Sequence, residues 1–335
     1  MKKEIWLTLE DIQSLAQQAA EACGASPENA KSLALSITTA EAEGLRSVGL
    51  AHLPDYCDGL WSGRIDGKAQ PTAEKPTPIV FRIDVHSGLA HPGFDIVYDD
   101  FVSAAKQFGV AIFSLRNGYT CGALGYFVSR LARDGLVAQA SANAGPAAVV
   151  VPGGTKPVFS TNPLAFAVPG TNGPALIIDQ SSSATALVNV RAAEERGEYL
   201  PEGWAVDANG LPTTDPKTAL SGALQAFGGY KGTNIAMMVE ILSAGLTGAN
   251  WSCDAPSFMA GSQCPNVGLF IIAIDPAVVF GGGFEARIAS YMERFTNDYA
   301  GRVPGARRAD ALLHSKQGVQ VSAELLARIN GYISQ

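Results

Sequence analysis

Four short segments of this chain gather glycine, hydroxyl and amide groups where backbone or side chain could meet a small ligand. They are Arg116-Asn117-Gly118-Tyr119-Thr120-Cys121-Gly122, Ser160-Thr161-Asn162-Pro163, Asp179-Gln180-Ser181-Ser182-Ser183 and Phe227-Gly228-Gly229-Tyr230-Lys231-Gly232. In the last, two glycines and a lysine open a predicted helix, whose free N–H groups and dipole favour a phosphate or carboxylate. The same residues could equally form a tight turn with a solvated lysine. Arg302-Val303-Pro304-Gly305-Ala306-Arg307-Arg308 is a second concentration of positive charge, either an anion site or an exposed turn. Familiar templates are missing: no GxGxxG follows a strand, and there is no GxxxxGK[ST] loop and no HExxH pair. The histidines (His52, His86, His91, His314) lie far in sequence from the cysteines, and none adjoins a nucleophile elbow, so neither a metal site nor a hydrolase triad is expected. His52, beside Pro54, reads equally well as a surface or a capping residue.

These segments need a scaffold. Thr8 followed by Asp11 predicts a capping box, and Ile12, Leu15, Ala16, Ala19 and Cys23 recur at helical spacing until Gly24. Ser26-Pro27-Glu28 opens a second helix carrying Ala30, Leu33, Ala34 and Ile37. A third helix is expected over residues 50–60, before Gly63, Gly67 and Pro71 mark an exit loop. From about Pro78 the texture becomes mixed. Strands are predicted over residues 79–83, 109–115, 136–141, 158–168, 175–178 and 269–274, and helices over 92–108, 123–134 and 231–248. Past Gly281-Gly282-Gly283, residues 284–297 are again helical, and 322–333 form a final capped helix. The expected fold is a central α/β body with a helical layer built from both chain ends.

The 335 residues are 47% hydrophobic and 16% charged, which excludes a disordered or coiled-coil chain. Acidic residues outnumber basic ones, 31 to 24, with no dense basic run, so nucleic acid is not an expected partner. The apolar stretches 235–246 and 268–280 are broken by Glu240 and by Asp275-Pro276, well short of the roughly 20 apolar residues of a membrane span. Met1-Lys2-Lys3 leads into Glu4 and not into an apolar signal core, and five cysteines without a CxxC pair read as reduced thiols. A cytoplasmic protein is expected.

As an ordered set, several motifs resemble the type 2 malate/L-lactate dehydrogenase family over nearly the whole chain. They are Glu43-Gly44 with Ser47 and Gly49, Pro54-Asp55-Tyr56, Thr161-Asn162-Pro163, Phe227-Gly228-Gly229 with Lys231-Gly232, Leu246-Thr247-Gly248, and Pro304-Gly305 with Arg307. The resemblance implies an NAD(P)H-dependent oxidoreductase of α/β (α+β) class. Its non-Rossmann cofactor-binding domain would contain a large mixed, mainly antiparallel sheet. It also implies a helical domain from residues 1–75 with 285–335, an α/β domain over 76–284, a homodimer, and an active site between the domains. By position, the dinucleotide would be held by Thr120, Cys121, Gly122, Ala123, Leu124, Asp179, Gln180, Ser181, Tyr230, Lys231, Arg302, Arg307 and Arg308. The arginines suit the 2′-phosphate of NADPH, with NADH as the alternative cofactor; Thr161 would meet the substrate.

The chain also departs from the family. Where Ser-His-Gly is usual, with the histidine as proton donor, it has Ser47-Val48-Gly49. The supporting aspartate falls on Asn189, the usual arginine on His52, and a histidine of the first dinucleotide motif on Thr120. Catalytic roles are therefore expected of Ser47, His52 and Asn189, and a substrate-binding one of His52. Losing an acid together with its carboxylate is one coherent change, since a carboxylate left unpaired in a closed site is costly. A ketone needs an acid as hydride arrives, whereas a cyclic ketimine can arrive protonated on nitrogen. The expected reaction is NADPH-dependent reduction of Δ1-pyrroline-2-carboxylate and/or Δ1-piperideine-2-carboxylate to L-proline or L-pipecolate, within proline metabolism or lysine degradation. The alternatives are a 2-oxo/2-hydroxy acid dehydrogenase with His52 as a relocated acid, and a dinucleotide-binding protein whose catalysis has lapsed.

Overall fold

The computed structural model describes residues 4–334, so the Met1-Lys2-Lys3 start lies outside the described residues. Its largest sheet has seven strands in the order Thr72–Thr77, Val80–Asp84, Val110–Gly118, Val267–Ile274, Val137–Ala142, Leu164–Gly170, Gly173–Gln180. Val80–Asp84 and Val110–Gly118 run parallel, and every other neighbouring pair is antiparallel. The sheet is thus mixed and mainly antiparallel, as the family resemblance implies. Val267–Ile274 takes the centre because its sequence is almost continuously apolar and can be buried on both faces. Thr72–Thr77 is exposed throughout and carries Lys75 and Pro76, which protect an open edge. Helices Tyr98–Phe108 and Leu124–Arg133 cover the sheet and enclose a core that includes Phe81, Phe94, Phe101, Phe113 and Phe127.

A second core joins the chain ends. Helices Leu9–Ala22, Pro27–Ala42, Leu53–Trp61 and Ala323–Ile333 bury Ile12, Leu33, Leu53, Tyr56 and Ile329 together. Strand Glu4–Leu7 pairs with Val319–Ser322, closing this layer. The Thr8 capping box forms as expected, with Thr8 and Asp11 each accepting the other's backbone N–H. No helix among the described residues is long and apolar enough to cross a membrane.

Several boundaries differ from expectation. Residues 158–168 form two strands, Pro157–Phe159 and Leu164–Gly170, because the intervening turn puts Asn162 at φ +37°. Residues 92–108 divide into Ala90–Asp95 and Tyr98–Phe108, with Val97 out of helical geometry. The helix expected over 231–248 is Tyr230–Glu240 followed by a π-turn, Ile241–Gly245. Arg307 and Arg308 lie not in a loop but in the first turn of helix Ala306–Ser315, which begins after Gly305 at φ +89°. A second sheet of five short strands was not anticipated: Pro212–Thr213, Ala205–Val206, Ala223–Gln225, Val149–Val150 and Pro157–Phe159.

Candidate active site

Strand Val110–Gly118 delivers Tyr119, Thr120, Cys121 and Gly122 to the start of helix Leu124–Arg133. Ala123 offers that helix no side-chain cap, and Asp179 Oδ2 accepts the Gly125 N–H at 2.9 Å instead. The same oxygen accepts from Arg308 Nη2 at 3.0 Å, while Arg308 Nη1 stands 3.6 Å from Glu43 Oε2. A Cβ at Gly125 would lie 2.1 Å from that Nη1, so only glycine admits the guanidinium here. Burial pushes the Glu43 carboxyl above its ordinary range, against the pull of Arg308 and Arg133 and with the Asp179 charge adding to the push. The expected group of Arg302, Arg307 and Arg308 is therefore divided. Arg308 is drawn inward, whereas Arg302 and Arg307 are exposed and have no ion-pair partner among the described residues.

From Asp179 the chain runs beside the other two ligand-type segments. Gln180 pairs with Leu164, the Ser182 N–H donates to Thr161 O at 2.8 Å, the Phe227 N–H donates to Ser182 O at 3.1 Å, and Ser183 bridges Ala226. Gly228 and Gly229 then turn at φ +59° and +64°, with open space where side chains would stand. Gly229 caps helix Tyr230–Glu240 without a side-chain bond, leaving the helix N–H groups and the exposed Tyr230 and Lys231 facing outward.

A buried polar network holds the Thr161 turn. Asn162 Nδ2 donates to Ala236 O at 2.8 Å and to Glu240 Oε2 at 2.7 Å, and Asn162 Oδ1 accepts from Ser160 Oγ at 2.8 Å. Ser182 Oγ donates to Asn162 O, and Glu240 also accepts the N–H and hydroxyl of Ser252. These bonds stabilise the left-handed Asn162 backbone and present the half-buried Thr161.

The segment that departs from the family rests on Glu41. This buried carboxylate accepts the Leu50 N–H at 2.7 Å, and a Cβ at Gly49 would lie 2.3 Å from its Oε1. Burial raises its pKa, with the Leu50 N–H and Arg46 opposing. Two short 3-10 turns, Arg46–Val48 and Leu50–His52, are pinned above it. Ser47 is exposed and Val48 half-buried. His52 occupies the N-cap of Leu53–Trp61 but makes no capping bond; its Nδ1 meets Asp55 Oδ2 at 2.8 Å. Its ring packs edge-on to Tyr56 at 4.8 Å, and Tyr56 OH accepts from Thr120 Oγ1 at 2.9 Å, which brings His52 alongside the 120–124 segment. Burial pushes the Tyr56 phenol well above its ordinary range and the Cys121 thiol up to about 12, so both stay protonated. His91, stacked on Phe127, is pushed down to about 4 by burial and is neutral.

The structure thus joins the four sequence segments and places His52 next to the first of them. It does not join Asn189 to Ser47 or His52: Asn189 is exposed and bonds to Thr185 Oγ1 at 3.1 Å. Sequence reasoning did not name Glu41, and it named Glu43 and Asp55 only as motif residues and Glu240 only as a break in an apolar stretch, giving none of them a role in the site. An acid inside an apolar run, as at Glu240, signals a buried carboxylate that needs partners, and His52 with Asp55 has the spacing of neighbours on one helical face. Among the described residues no three His, Cys, Asp or Glu side chains gather as metal ligands.

The arrangement fits a dinucleotide. The Gly228-Gly229 turn has open space above it, and the N-terminus of helix Tyr230–Glu240 has no side-chain cap. These groups suit phosphate, whereas the Asp179 carboxylate suits a hydroxyl donor such as a ribose.

Comparison with known proteins agrees with this geometry. The profile of the malate/L-lactate dehydrogenase family matches residues 7–330. The chain is 37% identical over 303 residues to the (2R)-3-sulfolactate dehydrogenase (NADP(+)) of Chromohalobacter salexigens, covering 90% of each chain. It is 36% identical over 319 residues to the Δ1-pyrroline-2-carboxylate/Δ1-piperideine-2-carboxylate reductase of Pseudomonas putida, covering 94% of this chain and 93% of the relative. The crystal structure of the Δ1-piperideine-2-carboxylate reductase of Pseudomonas syringae pvar. tomato superposes with a TM-score of 0.93 at 34% identity, over 98% of this chain and 99% of the other. The chain belongs to the malate/L-lactate dehydrogenase family and is an oxidoreductase.

Proposed function

We propose that this protein reduces a cyclic ketimine carboxylate, Δ1-pyrroline-2-carboxylate and/or Δ1-piperideine-2-carboxylate, to L-proline or L-pipecolate with NADPH. The observation that carries the reading is Val48, an apolar residue on a turn pinned by Glu41, where the family resemblance calls for an acid. A ketone oxygen must receive its proton as the alkoxide forms, so it needs an acid in line. An imine nitrogen is basic enough to be protonated beforehand by a donor in another position. The named imine reductases among the relatives support the same substrate class.

NADPH, when bound, supplies the hydride. Lys231, Tyr230 and the helix behind Gly229 hold its phosphates, with Thr120, Cys121, Gly122, Ala123 and Leu124 forming the adjoining wall and Asp179, Gln180 and Ser181 the ribose side. The exposed Arg302 and Arg307 read the 2′-phosphate, and Arg308 holds Asp179 in place. Thr161 meets the substrate, and Ser47 and His52 line the catalytic side, whereas Asn189, bonded to Thr185, stands apart from them. The separate core of the chain ends supports a helical domain in which residues 1–75 join the last part of 285–335, from Val319 on, against an α/β domain of 76–284, while helix Phe284–Asn297 packs on strands Leu164–Gly170 and Gly173–Gln180 of the large sheet. The exposed Met237, Met238 and Ile241 support a homodimer, and five free cysteines fit a reducing cytoplasm. The sulfolactate dehydrogenase relative favours a second reading, reduction of a 2-oxo acid. NADPH oxidation measured with each cyclic imine and with a panel of 2-oxo acids separates the two. Preference for an imine is expected, and preference for an oxo acid overturns the first reading.

A further inference from the structure

In the motif set of the family resemblance Asp55 belongs to Pro54-Asp55-Tyr56 and His52 stands where an arginine is usual, while Val48 and Asn189 stand where a histidine and its carboxylate are usual; the fold sets His52 and Asp55 side by side. We infer that Asp55 is a positioning residue that fixes His52 as the proton donor of this site, an inference that rests on the reductase reading above.

Three observations carry it. The Asp55 carboxylate sits in the first turn of helix Leu53–Trp61, where it could cap backbone N–H groups, yet its Oδ2 lies 2.8 Å from His52 Nδ1. That contact selects the form in which Nδ1 carries hydrogen and Nε2 points away from the pair. Second, the ring packs edge-on against Tyr56, a buried phenol anchored through Thr120 at the edge of the dinucleotide segment. Third, Nε2 has no protein partner among the described residues, and the side chain is 16% exposed, so the nitrogen is open to a small molecule and to water. The other ionisable neighbours do not compete: Tyr56 stays protonated, and His91 is neutral and fully buried.

The proton balance is complete. Imidazolium Nε2–H gives its proton to the ring nitrogen of the ketimine, the C=N bond becomes an iminium, and hydride from bound NADPH enters at carbon to give the cyclic amine. His52 is left neutral and regains a proton from water at its exposed edge. Asp55, through its contact with Nδ1, keeps Nε2 aimed at the nitrogen. A histidine–carboxylate pair thus reappears on the next turn, displaced from position 48, which suits a nitrogen protonated before hydride arrives better than an oxygen that needs its acid in line.

The test uses the full chain with histidine labelled by ¹⁵N, the His52 resonances being assigned through His52→Gln. In the wild type at a pH where His52 is neutral, hydrogen is expected on Nδ1. In Asp55→Asn, whose amide can donate to Nδ1, the Nε2–H form is expected to grow. With Δ1-pyrroline-2-carboxylate and NADPH, Asp55→Asn should lower kcat about 100-fold and leave KM within about threefold. Asp55→Ala should regain part of its kcat when formate is added, an effect that a merely structural role would not produce. Unchanged tautomers, or a kcat within about twofold of wild type in Asp55→Asn, overturn the inference. If wild type reduces neither imines nor oxo acids, the reductase reading fails, while the tautomer comparison still decides whether Asp55 holds His52.

Discussion

Replacing Arg308 by methionine keeps most of the side-chain stem and removes only the guanidinium. In the native protein the Arg308, Glu43 and Asp179 side chains are 13%, 4% and 13% exposed, so the two carboxylates would be left with little solvent. Removing one partner of a buried ion pair costs about 3–5 kcal/mol. Arg133, 3.7 Å from Glu43, remains and places the expectation near 3 kcal/mol, roughly a hundredfold in the folded-to-unfolded ratio. The pH dependence has a definite sign. Glu43 already has a raised pKa in the folded protein, so its contribution is fully present below the ordinary glutamate range and lost as pH rises through the folded value. Without Arg308 that value rises further, so the deficit against wild type should be larger at pH 8 than at pH 5. Urea unfolding at both values measures it, and Glu43→Gln in the Arg308→Met background should recover a large part of the loss. A deficit below about 1 kcal/mol, or one independent of pH, would refute the idea that Arg308 serves chiefly to neutralise Glu43 and Asp179.

Lys231→Ala should raise the Kd for NADPH about tenfold or more in a fully folded protein, as expected for one charge-assisted bond, and calorimetric titration checks it. Glu240→Ala strips the acceptor from Asn162 and Ser252 and should cost about 3 kcal/mol in urea unfolding; Glu240→Gln should lose less. His91→Phe should flatten the stability profile between pH 6.5 and 4. The depressed His91 value means wild type loses stability as pH falls through that window, by about 3 kcal/mol in all, and unfolding measured at pH 4.5 and 7 will show whether the variant does too.

The long elements were legible in the sequence because their signals are local. Caps such as Thr8 with Asp11, the Pro27 start and the continuous apolar strand Val267–Ile274 all stand in the structure close to where the pattern puts them. The five-stranded sheet was not legible, since strands of two or three residues such as Ala205–Val206 are too short to show an alternation. Strand Glu4–Leu7 was hidden because its partner lies more than 300 residues away. The same limit divided the site. Glycine turns and hydroxyl clusters announce themselves by composition, so the four segments were found. The inward course of Arg308 depends on Glu43 and Asp179, which only the fold brings to it. The resemblance pointed to positions 48 and 189, and neither composition nor resemblance indicated that Asp55 would take the His52 ring nitrogen.

The central claim is that a chain with valine at position 48 is a specialist for C=N. The most direct measurement is the ratio of kcat/KM on Δ1-pyrroline-2-carboxylate to that on pyruvate, both with NADPH, in wild type and in Val48→His. The account predicts a wild-type ratio well above one, and a Val48→His variant that gains mainly on pyruvate, within the roughly 10²–10⁴-fold that a positioned acid supplies, so that the ratio falls. A wild-type ratio below one, or equal gains on both substrates, would contradict it.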